Sequence, residues 1–165
     1  MPKHLPELID PLLCASKGRH WQGKLAIAGM SRLAGMIRNP GQEVDVDLRF
    51  DRDGRTAVVR GTVRGELEVV CQRCLDPLLI VIDQAVSLGL VTSIEEGERL
   101  GEDYEPLVLE RERIRFADIV EDELILAIPD IPRHEHCHIM YAAPQEKGLE
   151  RPNPFAVLAN LKTET

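Results

Sequence analysis

Val44, Val46, Leu48 and Phe50 alternate with Asp45, Asp47 and Arg49. A repeat of two belongs to a strand with one face on a core and the other in water, so this stretch is half-buried β-structure. Asp53-Gly54 follows as a hairpin turn, because glycine tolerates the positive φ that a tight turn demands. Residues 57–65 and 66–71 continue as strand, with Gly61 and Gly65 marking bulges or bends. Leu78 to Val91 reads as another long strand, with Leu78, Ile80 and Ile82 on one face. Together these segments predict an antiparallel β-meander.

Helical spacing appears on either side of it. Met30, Leu33, Ala34 and Ile37 place a short helix within Leu25–Ile37, after an irregular arm over residues 1–23. Phe116, Ile119, Val120, Leu124, Ala127 and Ile128 form the apolar stripe of a clear helix, which Pro129 and Pro132 end. Residues 93–106 and 133–152 read as polar loops, the first of them acidic. Asn153-Pro154 caps and opens a short terminal helix with Phe155, Leu158 and Leu161 on its apolar side. The fold class is therefore α+β, an antiparallel meander packed with a few helices in a single domain. Residues 1–40 supply an arm and a short helix, and 41–165 the α+β body. Aromatics make up only 4% of the 165 residues, so the core must be built from Val, Leu and Ile, with Trp21 as an anchor.

A formal charge of −8 opposes non-specific nucleic-acid binding, which needs Lys and Arg against phosphate. It suits a basic protein partner better. Direct RNA contact would fall to a local basic stretch, Lys17, Arg19, His20, Lys24, Arg32 and Arg38, whose plainer role is solubility. Pro2, Pro6 and Glu7 stand where a signal peptide needs an apolar run, and no stretch is long and apolar enough to span a membrane. A cytoplasmic protein is expected. There is no Gly-rich phosphate loop and no Gly-x-Ser-x-Gly elbow. Glu121, Asp122 and Glu123 follow one another on a helix and read as a solvated face. These absences point away from an enzyme.

The chemistry that remains lies in the cysteines. Cys71 and Cys74 stand two residues apart at a turn, where two thiolates can share one tetrahedral zinc. Two further ligands are needed, and the dense supply is Arg133-His134-Glu135-His136-Cys137-His138. His134 and Cys137 repeat the spacing of the first pair and are the preferred second half of a structural zinc site, with His136 or His138 as alternative ligands. Thiols packed as small hydrophobes beside a solvated loop are the plain alternative. A redox dithiol fits less well, since the pair lies between strands rather than at a helix N-terminus. Cys14 reads as packing.

Four segments taken together resemble one family. Cys71-Gln72-Arg73-Cys74, Val120-Glu121-Asp122-Glu123-Leu124-Ile125-Leu126-Ala127-Ile128-Pro129, His136-Cys137 and Pro152-Asn153-Pro154-Phe155-Ala156-Val157-Leu158 occur in the order and spacing of the YceD family, the large ribosomal RNA subunit accumulation proteins. The likeness spans about residues 40–162 and fades before them. It implies a part in the synthesis, processing or stability of large-subunit (23S) ribosomal RNA in bacteria and plastids, in genes that commonly sit beside that of a small zinc-ribbon protein of the large subunit. Some members carry extra cysteines where this chain has His134, His136 and His138, so the resemblance leaves the fourth ligand open. It identifies no active site. The expected partner is a large-subunit ribosomal protein or precursor particle, and direct contact with rRNA through residues 17–38 is one alternative. A metal-assisted RNA-processing hydrolase is the other.

Overall fold

The computed structural model describes residues 5–138 and Phe155. In chain order it forms β1 (Leu8–Ile9), α1 (Pro11–Ser16), β2 (His20–Ala26), a 3-10 turn (Ile27–Gly29), α2 (Ser31–Ala34), β3 (Glu43–Asp53) and β4 (Thr56–Val70). β5 (Pro77–Val91), α3 (Ile94–Gly97), β6 (Glu105–Val108), β7 (Ile114–Arg115) and α4 (Phe116–Ala127) follow. The main sheet runs β2-β3-β4-β5-β6. Its first four strands are antiparallel and β6 joins β5 in parallel. This is the α+β class that the alternation predicts. The expected loop at 93–106 contains one helical turn, α3, capped by Ser93, and the first residues of β6.

The period-two code sorts the two faces of the sheet. Val44, Val46, Leu48 and Phe50 of β3 are buried, as are Val59, Val63 and Leu67 of β4. Against them α4 lays Phe116, Ile119, Val120 and Leu124. Trp21 meets Phe50 edge-to-face at 5.3 Å and Phe116 at 5.8 Å between ring centroids, joining edge strand, sheet and helix. The opposite face carries cross-strand polar contacts such as the His20–Asp47 hydrogen bond at 2.7 Å and the Arg64–Asp83 ion pair at 2.7 Å. Each is exposed and contributes little by itself.

The N-terminal segment departs from its sequence reading. The arm expected over residues 1–23 is not irregular: it holds β1, α1 and the start of β2, and β2 pairs with β3 along its length, Trp21 opposite Leu48 and Leu25 opposite Val44. The alternation there is hidden because Gly23 occupies the inward position between Trp21 and Leu25, and the Leu5 side chain covers it. β1 pairs with β7, Ile9 opposite Ile114, which places the N-terminal segment beside the start of α4. The short helix expected within Leu25–Ile37 is α2, four residues long, and the rest of that stretch is the end of β2, the 3-10 turn and the residues after α2. Met30, Leu33 and Ile37 are buried as their spacing suggests, but on a turn and a short helix. The glycines marked as bulges also read differently, since the ladders run unbroken through Gly61 and Gly65. The terminal helix expected from Asn153 and the part of the expected loop beyond residue 138 lie outside the described residues, apart from Phe155.

The carboxylates of α4 require the largest correction. Glu121 and Glu123 are each only 3% exposed, so the face read as solvated is half inside the protein. Glu121 caps α2 from 89 residues away: its Oε1 accepts the Arg32 amide at 2.7 Å and the Leu33 amide at 3.0 Å, and Oε2 accepts the Arg32 guanidinium at 3.1 Å. α2 has no side-chain cap from its own N-cap residue, Met30, so this remote carboxylate takes the role. Burial opposes its ionisation, but the amides of Leu33 and Arg32 and the Arg32 guanidinium outweigh it, holding its pKa below the ordinary glutamate value. Glu121→Ala leaves two helix amides without an acceptor and is expected to cost about 3 kcal/mol in denaturant unfolding. A folded-state pKa below the unfolded one stabilises fully above the ordinary range and is lost on acidification, so the gap between wild type and variant should narrow in acid.

Glu123 shows the opposite sign. Burial raises its pKa and the carboxylates of Glu105 and Asp122 raise it further, against a single 3.4 Å bond from the Gln84 amide. The raised value stabilises the fold below the ordinary glutamate range, and that contribution is lost as pH rises through the folded pKa. At neutral pH the charge is a liability. Glu123→Gln should raise the melting temperature by about 3 °C at pH 7 and by less in acid; a fall at pH 7 would contradict this account.

Candidate metal centre

β4 ends at Val70 and β5 begins opposite it at Pro77, so residues 71–76 form the turn between paired strands. The Cys71 amide donates to the Asp76 carbonyl at 2.9 Å and the Leu75 amide to the Cys71 carbonyl at 3.0 Å. Leu75 adopts φ 65°, a left-handed conformation that costs a branched residue about 1–2 kcal/mol. The turn so formed sets the Cys71 and Cys74 sulfurs close together. The other half comes from the segment after α4, which Pro129 and Pro132 turn away from the helix axis. Hydrogen bonds to backbone carbonyls help hold it to the turn: the Gln72 amide donates to the Pro132 carbonyl at 2.8 Å, and the Arg73 guanidinium donates to the carbonyls of His134 at 2.6 Å and Glu135 at 3.3 Å.

These contacts bring together Cys71, Cys74, His134 and Cys137, whose ligand atoms all lie within 4.8 Å of one another. Cys71 Sγ and Cys137 Sγ are 3.8 Å apart, and Cys74 Sγ and His134 Nδ1 3.4 Å. A tetrahedral zinc with bonds of about 2.3 Å to sulfur and about 2.0 Å to nitrogen has edges of about 3.4–3.8 Å, so the set fits after small inward movements. His134 Nε2 lies 3.1 Å from the Pro77 carbonyl oxygen, which can only accept. The proton therefore sits on Nε2 and the Nδ1 lone pair faces the sulfurs, the orientation an outer hydrogen bond imposes on a metal-binding histidine. His136 is 93% exposed and 4.0 Å from Glu135, and His138 is also exposed, so neither alternative ligand joins the group.

The electrostatics of the group call for a cation. Burial works against a Cys71 thiolate, but the amides of Cys74, His134 and Arg73 outweigh it and bring the thiol down to about 5. At Cys74 the Asp76 amide favours ionisation, yet burial and the neighbouring Cys71 and Cys137 sulfurs prevail and push it up to about 11. One thiolate forms readily and a second is resisted, which a divalent ion would reverse. Three thiolates and a neutral imidazole around zinc leave a net charge of −1. Arg73 Nε, 2.9 Å from Cys137 Sγ, offsets it. Sequence reasoning overlooked Arg73, although it stands between the two cysteines.

The basic stretch is dispersed by comparison. Lys24 lies 3.9 Å from Asp45, Arg38 3.5 Å from Glu68, and Arg32 bonds Glu121 and Asp122. Lys17 and Arg19 form no side-chain bond among the described residues, and with Arg113 they line an open groove of about 290 Å³ beside Trp21. Cys14 is buried, and burial raises its pKa, in keeping with a packing role. No helix among the described residues is long and apolar enough to cross a membrane.

Comparison with known proteins agrees with the resemblance read from the sequence. The family model for the large ribosomal RNA subunit accumulation protein YceD matches residues 59–162. A curated protein of that description from Haemophilus influenzae is 35% identical over 167 aligned positions, covering 96% of each chain. No solved structure matches significantly.

Proposed function

We propose, from the premise that this chain belongs to the YceD family of large ribosomal RNA subunit accumulation proteins, that it supports accumulation of large-subunit rRNA as a non-enzymatic binding factor in the cytoplasm. Its partner is a basic ribosomal protein of the large subunit, alone or within a precursor particle. This reading is carried by the acidic run from Glu95 to Glu105, where six carboxylates face a single cation, Arg99. Screening the Lys and Arg of a basic partner keeps them from contacting RNA indiscriminately, and such attraction weakens with salt. Zinc serves as a clasp: four protein ligands would close its coordination sphere, leaving no position for water or substrate. That favours scaffold over hydrolase.

Sedimentation of tagged protein through a gradient, with mass spectrometry of what travels with it, tests the proposal. Large-subunit precursors or a large-subunit protein should co-migrate at low salt and dissociate as salt rises. Migration as a free protein under all conditions would overturn it. Direct RNA contact is the second reading, favoured by Lys17 and Arg19 beside Arg113, the first two without a side-chain bond among the described residues. Reversing both charges should abolish binding to rRNA in that case and leave it unchanged otherwise.

A further inference from the structure

Glu123 is buried, charged at neutral pH only at a cost, and among the described residues its side chain is held only by the 3.4 Å amide contact from Gln84. It lines a groove of about 280 Å³ between α4 and β6, floored by Leu88, Leu107, Ile119 and Ile125. Leu126 stands at the groove 69% exposed, although it belongs to the helix that supplies the core. Arg32 neutralises Asp122 at the same groove, but Glu105 and Glu123 have no cation partner among the described residues. Burial, and after it the like charges at Glu105 and Asp122, disfavours the Glu123 carboxylate.

A hard metal ion is a poor occupant. Among the described residues the only convergent group of ligating atoms is the Cys/His set, so these carboxylates do not meet around a point. The volume accepts one or two side chains and is small for a drug-sized ligand. An apolar floor under an acidic rim matches a side-chain pair of the same make-up, one aliphatic and one cationic. We infer that the α4–β6 groove docks a basic protein segment, an aliphatic side chain resting on Leu107 and Ile125 against Leu126 and a neighbouring Lys or Arg pairing with Glu105 and Glu123. The inference rests on the partner class proposed above and assigns it a surface.

Two experiments separate the groove from the wider reading. A fluorescein-labelled 14-residue peptide with Leu and Lys at helical spacing is titrated by anisotropy against the full chain and its variants. Leu126→Lys should weaken binding at least tenfold and Glu123→Gln severalfold, while Asp51→Asn, the same loss of one charge on the far face, should change it little. The wild type and Leu126→Lys are then run on the same gradient. Loss of co-migration in the variant alone supports the groove. Co-migration of both overturns the groove and spares the proposed function, and co-migration of neither overturns that function while the titration still judges the groove. An equal effect of all three substitutions on the peptide, or wild-type self-association that occupies the groove with a second copy, would also overturn it.

Discussion

Treating the zinc-loaded protein with a strong chelator should lower its melting temperature by about 10 °C without unfolding it at room temperature. A metal bound a thousandfold below its free concentration stabilises by about 4 kcal/mol, and about 2–4 °C per kcal/mol is expected at this size. Folding should survive because the sheet and α4 share a core that omits the site, and because Gln72 and Arg73 hold the 132–135 segment through backbone carbonyls. Metal analysis should find one zinc per chain. Cys137→Ser and His134→Ala should each lose it, whereas His136→Ala and His138→Ala should keep it. Protein grown with zinc that carries none, or that melts unchanged with chelator, would falsify the clasp.

Gly61→Ala is the second large effect. Gly61 lies opposite Leu48 in β3 and has φ 158°. A methyl group there would overlap the Asp47 carbonyl oxygen and crowd the Leu48 Cα at 3.0 Å. Both are backbone atoms at the centre of the sheet, so neither can turn aside as a side chain would. A cost of about 4 kcal/mol is expected, at the upper end for one added methyl. Gly65→Ala provides the contrast. Its new methyl would meet the Val44 side chain at 2.7 Å, and a side chain can adjust, so about 1–2 kcal/mol is expected. Equal midpoints for the two variants in urea would show that backbone overlap is not the cause.

The parts of this fold legible in the sequence are those where one signal acts alone. The alternation of β3, the Asp53-Gly54 turn with Gly54 at φ 58°, and the stripe of α4 all state their partners through period. The cysteine pair and His134-Cys137 were legible as a set because zinc chemistry restricts both ligand type and spacing. β2 was hidden by a glycine at an inward position whose covering side chain, Leu5, lies eighteen residues earlier. Glu121 and Glu123 were misread for a related reason. Charge predicts exposure unless a partner is known, and the amides that Glu121 caps lie 88 and 89 residues away. Contacts at that separation leave no local periodicity.

β2 is one border of the main sheet, and its pairing with β3 occupies the backbone donors and acceptors that β3 would otherwise present to water. A shortened chain beginning near Glu43 would uncover the edge of β3 from Glu43 to Arg49, the seven residues that β2 pairs with. Such a border recruits whatever strand comes near, most readily another copy of itself. The first forty residues, which lie ahead of the stretch that the family model matches, would then be what keeps the rest from aggregating.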